Sequence, residues 1–231
     1  MEQNVVQAAQ MSLEDTMLTR RSVRGYTDKP VPQDLLDKVF GIAQHTPSNC
    51  NIQPWITLVA SGEARDRIRA KFLEKITSGV PSNSDFDYPG KFEGEYRRRQ
   101  VECAVALYQK MDIARDDYEG RVRASRRNFE LFDAPHVAFI GMDKEFGATV
   151  AIDVGMYVQS LMLAMTAHGI SSCAQGCMRY YPNIVREEFP GNEDTHILCG
   201  VSFGYEDPEV PANAARTTRD DISACVTFID E

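Results

Sequence analysis

The stretch AIDVGMYVQSLMLAMTAHGISSCAQGC, residues 151–177, contains the longest apolar segment of the sequence. Residues 152–167 are almost wholly apolar and extend far enough to form a helix that is buried on most of its sides. Gly169 ends this helix, and the small residues after it predict a turn or a strand. We therefore expect residues 152–167 to form the central core helix or the seam of a dimer.

Further helices and strands alternate on both sides of this stretch. Capping patterns and periodic apolar residues predict helices over about residues 12–20, 35–43, 63–76, 95–111, 117–132 and 183–189. Short apolar runs predict strands over residues 55–60, 136–142 and 196–205, and a weaker strand that could reach a partner over residues 222–229. This alternation predicts an α/β or α+β fold with a sheet packed between helices.

The composition is that of one ordinary globular domain. The chain has 231 residues, of which 43% are hydrophobic and 26% charged, and this argues against a disordered or fibrous protein. Its net charge of −9 argues against a general attraction to nucleic acid or to an anionic membrane. Any bound anion therefore needs a local cluster of positive charge.

The sequence offers no pattern for a metal site or a membrane anchor. The six cysteines contain no C-x-x-C pair and no histidine at a zinc-binding spacing, so we expect no metal and reduced thiols. The first residues lack the basic and apolar regions of a secretory signal, and no run of about 18 apolar residues occurs. These features predict a cytoplasmic protein that does not span a membrane.

Two basic motifs lie near opposite ends of the chain. RRSVR, residues 20–24, places three guanidiniums and a hydroxyl within five residues, which are donors suited to a phosphate. RTTR, residues 216–219, adds two arginines that could complete the same anion site. A solvated basic surface is the alternative for each motif.

Two uncharged motifs could contact a planar heterocycle. PSNCNIQPW, residues 47–55, offers backbone amides and carboxamides, and SCAQGC, residues 172–177, has small residues that let the main chain approach a ring. The alternatives are a capped loop over a buried tryptophan and a tight turn. Cys173 and Cys177 are either a redox pair or small core side chains. The sequence contains no hydrolase elbow, Rossmann fingerprint or phosphate loop.

Four motifs, taken in order, resemble the nitroreductase family of FMN enzymes. They are TRRSVRGYTDKPVP at 19–32, TPSNCNIQPW at 46–55, the segment 151–189, and N-x-x-R-T-T-R at 213–219. The later half resembles the branch that includes nitrobenzoate reductases. The resemblance covers nearly the whole chain and implies a three-layer α+β fold, in which a central, mostly antiparallel sheet is flanked by helices.

The resemblance also implies a homodimer with two FMN sites at its interface. Residues 1–231 would form one FMN-binding domain. Within it, residues 78–132 would form a variable cover over the active site, starting with a surface excursion or lid at 78–94. Residues 210–231 would extend onto the partner, and long helices would pack across the two-fold axis.

By motif, the resemblance assigns the basic residues to one end of FMN. Arg20, Ser22 and Arg219 would hold the phosphate, and Arg21 would support the phosphate and the ribityl chain. Arg24 would lie near flavin N1 and O2, where negative charge gathers on two-electron reduction. Arg24 would thus tune the flavin, and no side chain is assigned as a catalytic acid or base.

The resemblance assigns the uncharged motifs to the flavin ring. The loop residues that would approach the ring from the other subunit are Pro47, Ser48, Asn49 and Asn51. The main chain of Gln175 and Gly176 would face N5 and O4. Ala174 departs from the family pattern, which often has proline at this position.

The activity that the resemblance implies is ping-pong hydride transfer. NADH or NADPH would reduce the bound flavin and leave, and a small nitroaromatic or quinone acceptor would then take the same place. Two alternatives are a reductive dehalogenase of halophenols, whose Glu, Tyr and Lys triad we cannot place between Lys91 and Lys110, and an FMN-binding protein without turnover. A third alternative is an interaction protein without flavin.

The predicted cover is rich in arginine over residues 97–127. One of these arginines could bind the carboxylate of a nitrobenzoate-like substrate. The alternative is that they form surface salt bridges with nearby glutamates at positions 93, 95, 102 and 119.

Overall fold

The computed structural model describes residues 11–87 and 90–230. Seven α-helices form in this part of the chain, and they are α1 (Leu13–Thr19), α2 (Gln33–Ala43), α3 (Gly62–Thr77), α4 (Gly94–Lys110), α5 (Tyr118–Arg126), α6 (Ala148–Ala167) and α7 (Pro182–Glu188). Four strands form in the same residues, and they are β1 (Ile56–Ser61), β2 (His136–Asp143), β3 (Ser171–Gln175) and β4 (Thr195–Gly204). Helices and strands thus alternate as the sequence predicts.

The four strands make one antiparallel sheet in the order β1-β2-β4-β3. Successive side chains of a strand point to opposite faces, and β2 is buried on both. Ala138, Ile140 and Met142 join a core formed with α2 and α6, whereas Val137 and Phe139 join a second core formed with α3 and α7. The predicted three-layer α+β fold is therefore confirmed.

Helix α6 fills the first of these cores and leaves part of its surface outside. Tyr157, Leu161 and Met165 are fully buried, but Ile152 is 64% exposed and Met156 is 38% exposed. By length and composition alone, α6 is the one helix among the described residues that could cross a membrane, with 39% of its most apolar window buried. A core helix passes the same test, and α6 packs against α2 and the sheet.

The segment that carries RRSVR is fastened to the sheet. Ser12 caps α1 as predicted, because its Oγ accepts the Asp15 N–H at 3.0 Å. After α1 ends, Ser22 forms an isolated parallel bridge with Ser172 of β3, and the Val23 N–H donates to the Ser172 carbonyl at 3.1 Å. The RRSVR segment therefore lies along the free edge of β3.

A buried histidine holds the chain that follows this segment. His136 Nε2 accepts the Val31 N–H at 2.9 Å, and its Nδ1 lies 2.5 Å from Ser61 Oγ. Burial lowers the pKa of His136, so the neutral ring that can accept this hydrogen bond is favoured. Val31 is thereby tied to the start of β2.

The sequence predictions fail at two places. Helix α5 ends at Arg126 rather than near 132, because Leu131, Phe132 and Asp133 all take positive φ angles in a 3-10 turn that buries Leu131 and Phe132. Residues 222–229 form no strand. Asp221 accepts the Ser223 N–H at 2.9 Å and opens a 3-10 turn at Ile222–Ala224, which breaks the extended chain.

The first part of the predicted lid is fastened to the body of the protein. Asp85 accepts hydrogen bonds from the Arg186 guanidinium and, at 2.9 Å, from the Ile197 N–H. The Asn83 N–H donates to the Tyr180 carbonyl at 3.0 Å. Residues 88 and 89 of this segment lie outside the described residues. Further along the predicted cover, α4 contains no buried residue.

Candidate functional site

Arginines from both ends of the chain line one cavity of about 580 Å³. Arg20, Arg21 and Arg24 come from the segment after α1, and Arg216 and Arg219 come from the C-terminal segment. Ser22 lies on the same wall, and Cys103 and Leu107 of α4 close another. The structure thus brings together two basic motifs that are almost 200 residues apart in sequence.

This cavity has an excess of positive charge. Arg21 forms an ion pair with Glu206. Within residues 11–87 and 90–230, no carboxylate forms an ion pair with the other four arginines of the cavity. The Nη1 atom of Arg21 is buried and has no hydrogen-bond partner in the described structure. Because five guanidiniums line the cavity and only Arg21 among them has a carboxylate partner in the described residues, the cavity is suited to an anion with several acceptor oxygens, such as a phosphate.

Arg24 lies between this cavity and a smaller one of about 170 Å³. The smaller cavity is lined mainly by apolar side chains, among them Leu107, Met111 and Phe132. The Arg24 guanidinium donates to the Ser22 carbonyl at 3.3 Å. A guanidinium beside apolar walls exerts a stronger field than one in open water.

Asn213 joins the two basic motifs, and the sequence reasoning missed it. Its Oδ1 accepts the Arg24 N–H at 2.6 Å, and its Nδ2 donates to the carbonyls of Gly25 and Asp207 at 2.8 Å each. Asn213 is 3% exposed. Its only sequence signal was the first position of the N-x-x-R-T-T-R motif, since the contact itself spans the length of the chain.

Gln175 ends β3 and Gly176 follows it, at the end of the strand towards which the parallel RRSVR segment runs from Ser22 to Arg24. The Gln175 side chain is fully engaged, because its Nε2 donates to the Asn128 carbonyl at 2.7 Å and its Oε1 accepts from Ser202. Gly176 is exposed, and a Cβ atom there would lie 3.0 Å from Arg179 Nη1. The Gln175 side chain is thus held within the protein, and a ligand contact through the main chain of Gln175 and Gly176 stays a prediction.

The two cysteines of this motif are unsuited to redox chemistry. Burial raises the pKa of Cys173, and it raises the pKa of Cys177 to about 12. Both thiols therefore stay protonated, and a protonated thiol is a poor nucleophile. The structure favours the alternative that they are small core side chains.

The loop of residues 47–53 does not line the arginine cavity of its own chain. Pro47, Asn49 and Asn51 are exposed and Ser48 is half-buried. The loop is attached to the first half of α6, because the Asn49 N–H donates to Asp153 Oδ2 at 3.1 Å. The structure thus separates these predicted site residues from the arginines.

A model of the nitroreductase family matches residues 17–205, which is most of the chain.

This chain belongs to the nitroreductase family.

Its relatives include the nitroreductase NfnB of Mycolicibacterium smegmatis, which is 38% identical over 90% of this chain and 89% of the relative. A 4-nitrobenzoate reductase of Nocardioides sp. is 32% identical over 91% of this chain and 87% of the relative. The solved structure of an FMN- and NADPH-dependent NfnB from a Sphigopyxis strain superposes with a TM-score of 0.91 at 32% identity, covering 96% of this chain and 100% of that chain.

In this nitroreductase, the arginines of the predicted cover mostly serve surface ion pairs. Arg98 contacts Glu95, Glu102 and Asp220, and Arg99 also contacts Asp220. These two guanidiniums lower the pKa of Asp220. Because Asp220 follows Arg219 directly, the ion pairs hold the C-terminal segment against α4.

The same holds for the arginines of α5 and of the turn that follows it. Arg127 contacts Glu130 and Asp133, and Arg123 lies within ion-pair distance of Glu119. The alternative of surface salt bridges therefore describes these side chains. Among them, Arg127 also lines the small cavity beside Arg24.

Proposed function

We propose that this nitroreductase binds FMN, takes hydride from NADPH or NADH, and reduces a small nitroaromatic or quinone acceptor. The observation that carries the proposal is the cavity on which five guanidiniums converge in an otherwise acidic chain. The names of the relatives support the reaction, since they include nitrobenzoate reductases and FMN- and NADPH-dependent enzymes.

The cavity fits the phosphate end of FMN. Arg20, Ser22 and Arg219 would hold the phosphate, and Arg216, on the same wall, would add a further donor. Arg21 fits because its Nη1 is buried without a partner while its Nη2 is held by Glu206. A phosphate oxygen would satisfy that donor.

When bound, FMN supplies the redox chemistry through its ring system. Arg24 would place a fixed positive charge beside the ring, and the apolar walls of the adjoining cavity keep that charge poorly screened. The main chain at Gln175 and Gly176 would orient the ring from the other side. The protein therefore contributes stacking, orientation and charge placement rather than acid–base catalysis.

A homodimer completes the proposed site. Ile152 and Met156 give α6 an exposed apolar strip, and in the C-terminal segment Ile222, Phe228 and Ile229 are also exposed. Packing of α6 across a two-fold axis would cover the strip and bring the loop of residues 47–53 to the partner's flavin. Residues 210–231 would then embrace the partner. A cytoplasmic location remains a prediction from the sequence.

Reduction and reoxidation of the purified protein test this proposal. After incubation with FMN, the protein should be yellow, NADPH or NADH should bleach it under anaerobic conditions, and 4-nitrobenzoate should restore the colour. A yellow protein that neither nucleotide bleaches would be an FMN-binding protein without turnover. A colourless protein would be no flavoprotein, and turnover of halophenols alone would indicate the dehalogenase.

Arg24→Ala should lower the two-electron midpoint potential while leaving most of the FMN affinity intact. A lost charge-assisted interaction of about 1.5–3 kcal/mol corresponds to a shift of roughly 30–60 mV in a two-electron couple. Spectroelectrochemical titration of the flavin measures this shift. Arg24→Lys, which keeps the charge, is the control, and an Arg24→Ala potential equal to that of the wild type would rule out the role of Arg24 beside the ring.

A further inference from the structure

The loop of residues 47–53 holds an unfavourable backbone conformation. Cys50, Asn51 and Gln53 have φ angles of 50°, 56° and 47°, which lie in the left-handed region. Residues other than glycine seldom adopt these angles, and a structure keeps them only where its surroundings enforce them. We call residues 47–53 the strained loop.

Most hydrogen bonds of the strained loop are internal. The Asn51 and Ile52 N–H groups donate to the carbonyls of Ser48 and Asn49, and the Gln53 N–H donates to Ser48 Oγ at 2.9 Å. Among the described residues, one recorded hydrogen bond joins the strained loop to another part of the protein, and it is the bond from the Asn49 N–H to Asp153.

Two residues on one face of helix α6 contact the chain at the two ends of this loop. Asp153 holds Asn49, and Tyr157, one helical turn further on, stacks on Trp55 with a centroid distance of 4.8 Å. Trp55 is fixed in turn, since its Nε1 donates to Gln44 Oε1 at 3.0 Å. The aromatic contact sets where the chain leaves the loop, and the Asp153 contact sets where it enters.

The burial of the Asp153 carboxyl group is energetically unfavourable at this position. It is 6% exposed within an apolar helix, and no arginine or lysine of the described residues forms an ion pair with it. Burying a carboxyl group costs free energy unless hydrogen bonds compensate it. The recorded partner that offers such compensation is the Asn49 N–H.

We propose that Asp153 is a positioning residue that fixes the strained loop for contact with the flavin of the partner subunit. The proposal rests on the proposed function, because it takes the site to be an FMN site shared between two subunits. Asp153 lies next to the exposed Ile152 on α6. The same segment of α6 would therefore form the dimer contact and position the strained loop towards the partner subunit.

The first test compares FMN with riboflavin, which lacks the phosphate. Asp153→Ala should weaken both ligands by the same factor of about ten, the change that corresponds to 1.4 kcal/mol. Asp153→Asn keeps an oxygen that can accept the Asn49 N–H, so its affinity should stay within about twofold of the wild type. Ser160→Ala, on the same helix, is the matched control, because in the part of the chain that the structure describes its hydroxyl donates to the Met156 carbonyl of its own helix.

Three results would overturn the proposal in this test. They are wild-type binding by Asp153→Ala, loss of FMN alone, and equal losses in Asp153→Ala and Asp153→Asn. Failure of the FMN site itself is recognised separately, because the wild-type protein would then show no preference for FMN over riboflavin.

The second test removes the donor instead of the acceptor, and it serves even where Asp153→Ala fails to fold. Ser48 has φ −144° and ψ 158°, an extended conformation that a following proline accepts. Asn49→Pro removes the N–H, whereas Asn49→Ala keeps it. We expect Asn49→Pro to bind riboflavin about tenfold more weakly than Asn49→Ala, as for loss of the acceptor. Equal affinities would contradict the role of this hydrogen bond.

The third test separates an effect on the partner from an effect within one subunit. In a mixed dimer that carries Asp153→Ala in one chain and Arg20→Ala in the other, one site should keep wild-type FMN affinity. That site combines an intact Arg20 with an intact strained loop from the other chain. Two impaired sites per dimer would mean that Asp153 acts within its own subunit, and this would overturn the proposal.

Discussion

Replacing Arg20 and Arg219 together by alanine should lower the affinity for FMN by a factor on the order of 100 or more. Each guanidinium would contribute a charge-assisted hydrogen bond to the phosphate, worth about 1.5–3 kcal/mol. Riboflavin has no phosphate, so its affinity should change little. Titration of the flavin-free protein with either ligand, followed by flavin fluorescence, measures both dissociation constants.

The control for this prediction removes two positive charges elsewhere. Arg67 and Arg123 are exposed arginines that pair with the half-buried Glu188 and the exposed Glu119. The double variant Arg67→Ala/Arg123→Ala has the same net charge as the site variant. It should bind FMN like the wild type. If riboflavin binding fell in parallel with FMN binding in the site variant, the two arginines would act on the fold and not on the phosphate.

A charge on the exposed strip of α6 should produce monomers that lose their flavin. Ile152→Glu puts a carboxylate where Ile152 is 64% exposed in the single chain, so the subunit itself should tolerate it. At a dimer seam the same carboxylate would be buried without a partner, which costs several kcal/mol. Light scattering during gel filtration should show a mass near 25.9 kDa, and the protein should be colourless.

Val122→Glu is the control for this second prediction. Val122 is a similarly exposed apolar residue, but it lies on α5, away from the proposed seam. The control should remain a yellow dimer. An Ile152→Glu monomer that stays yellow would show that one subunit holds the flavin alone. The strained loop would then not be needed at the flavin of a partner subunit.

Much of this fold can be predicted from local sequence. The apolar run of α6, the buried run of β2 and the Ser12 cap each reflect rules that act within one element. The early end of α5 cannot be predicted from such local rules, because it depends on the positive φ angles with which Leu131 and Phe132 are buried in the core. Tertiary contacts stabilise these backbone angles, and no glycine in residues 131–133 indicates them in the sequence.

The candidate site, too, can be predicted from the sequence only in part. The two basic motifs could be recognised by composition, and the structure places them on one cavity. Asn213, which joins the motifs, and Asp153, which holds the strained loop, act through contacts with residues far away in sequence. Each looks like an ordinary polar residue until the chain is folded. The pairing of Arg98 and Arg99 with Asp220 was likewise hidden, since the neighbouring glutamates were the obvious partners.

A crystal structure of the protein grown with excess FMN would show whether both ends of the chain bind one phosphate. We expect guanidinium nitrogens of both Arg20 and Arg219 at hydrogen-bond distance, about 2.7–2.9 Å from the phosphate oxygens. A structure in which FMN is bound while either guanidinium points into solvent, away from the phosphate, would overturn the proposed phosphate site.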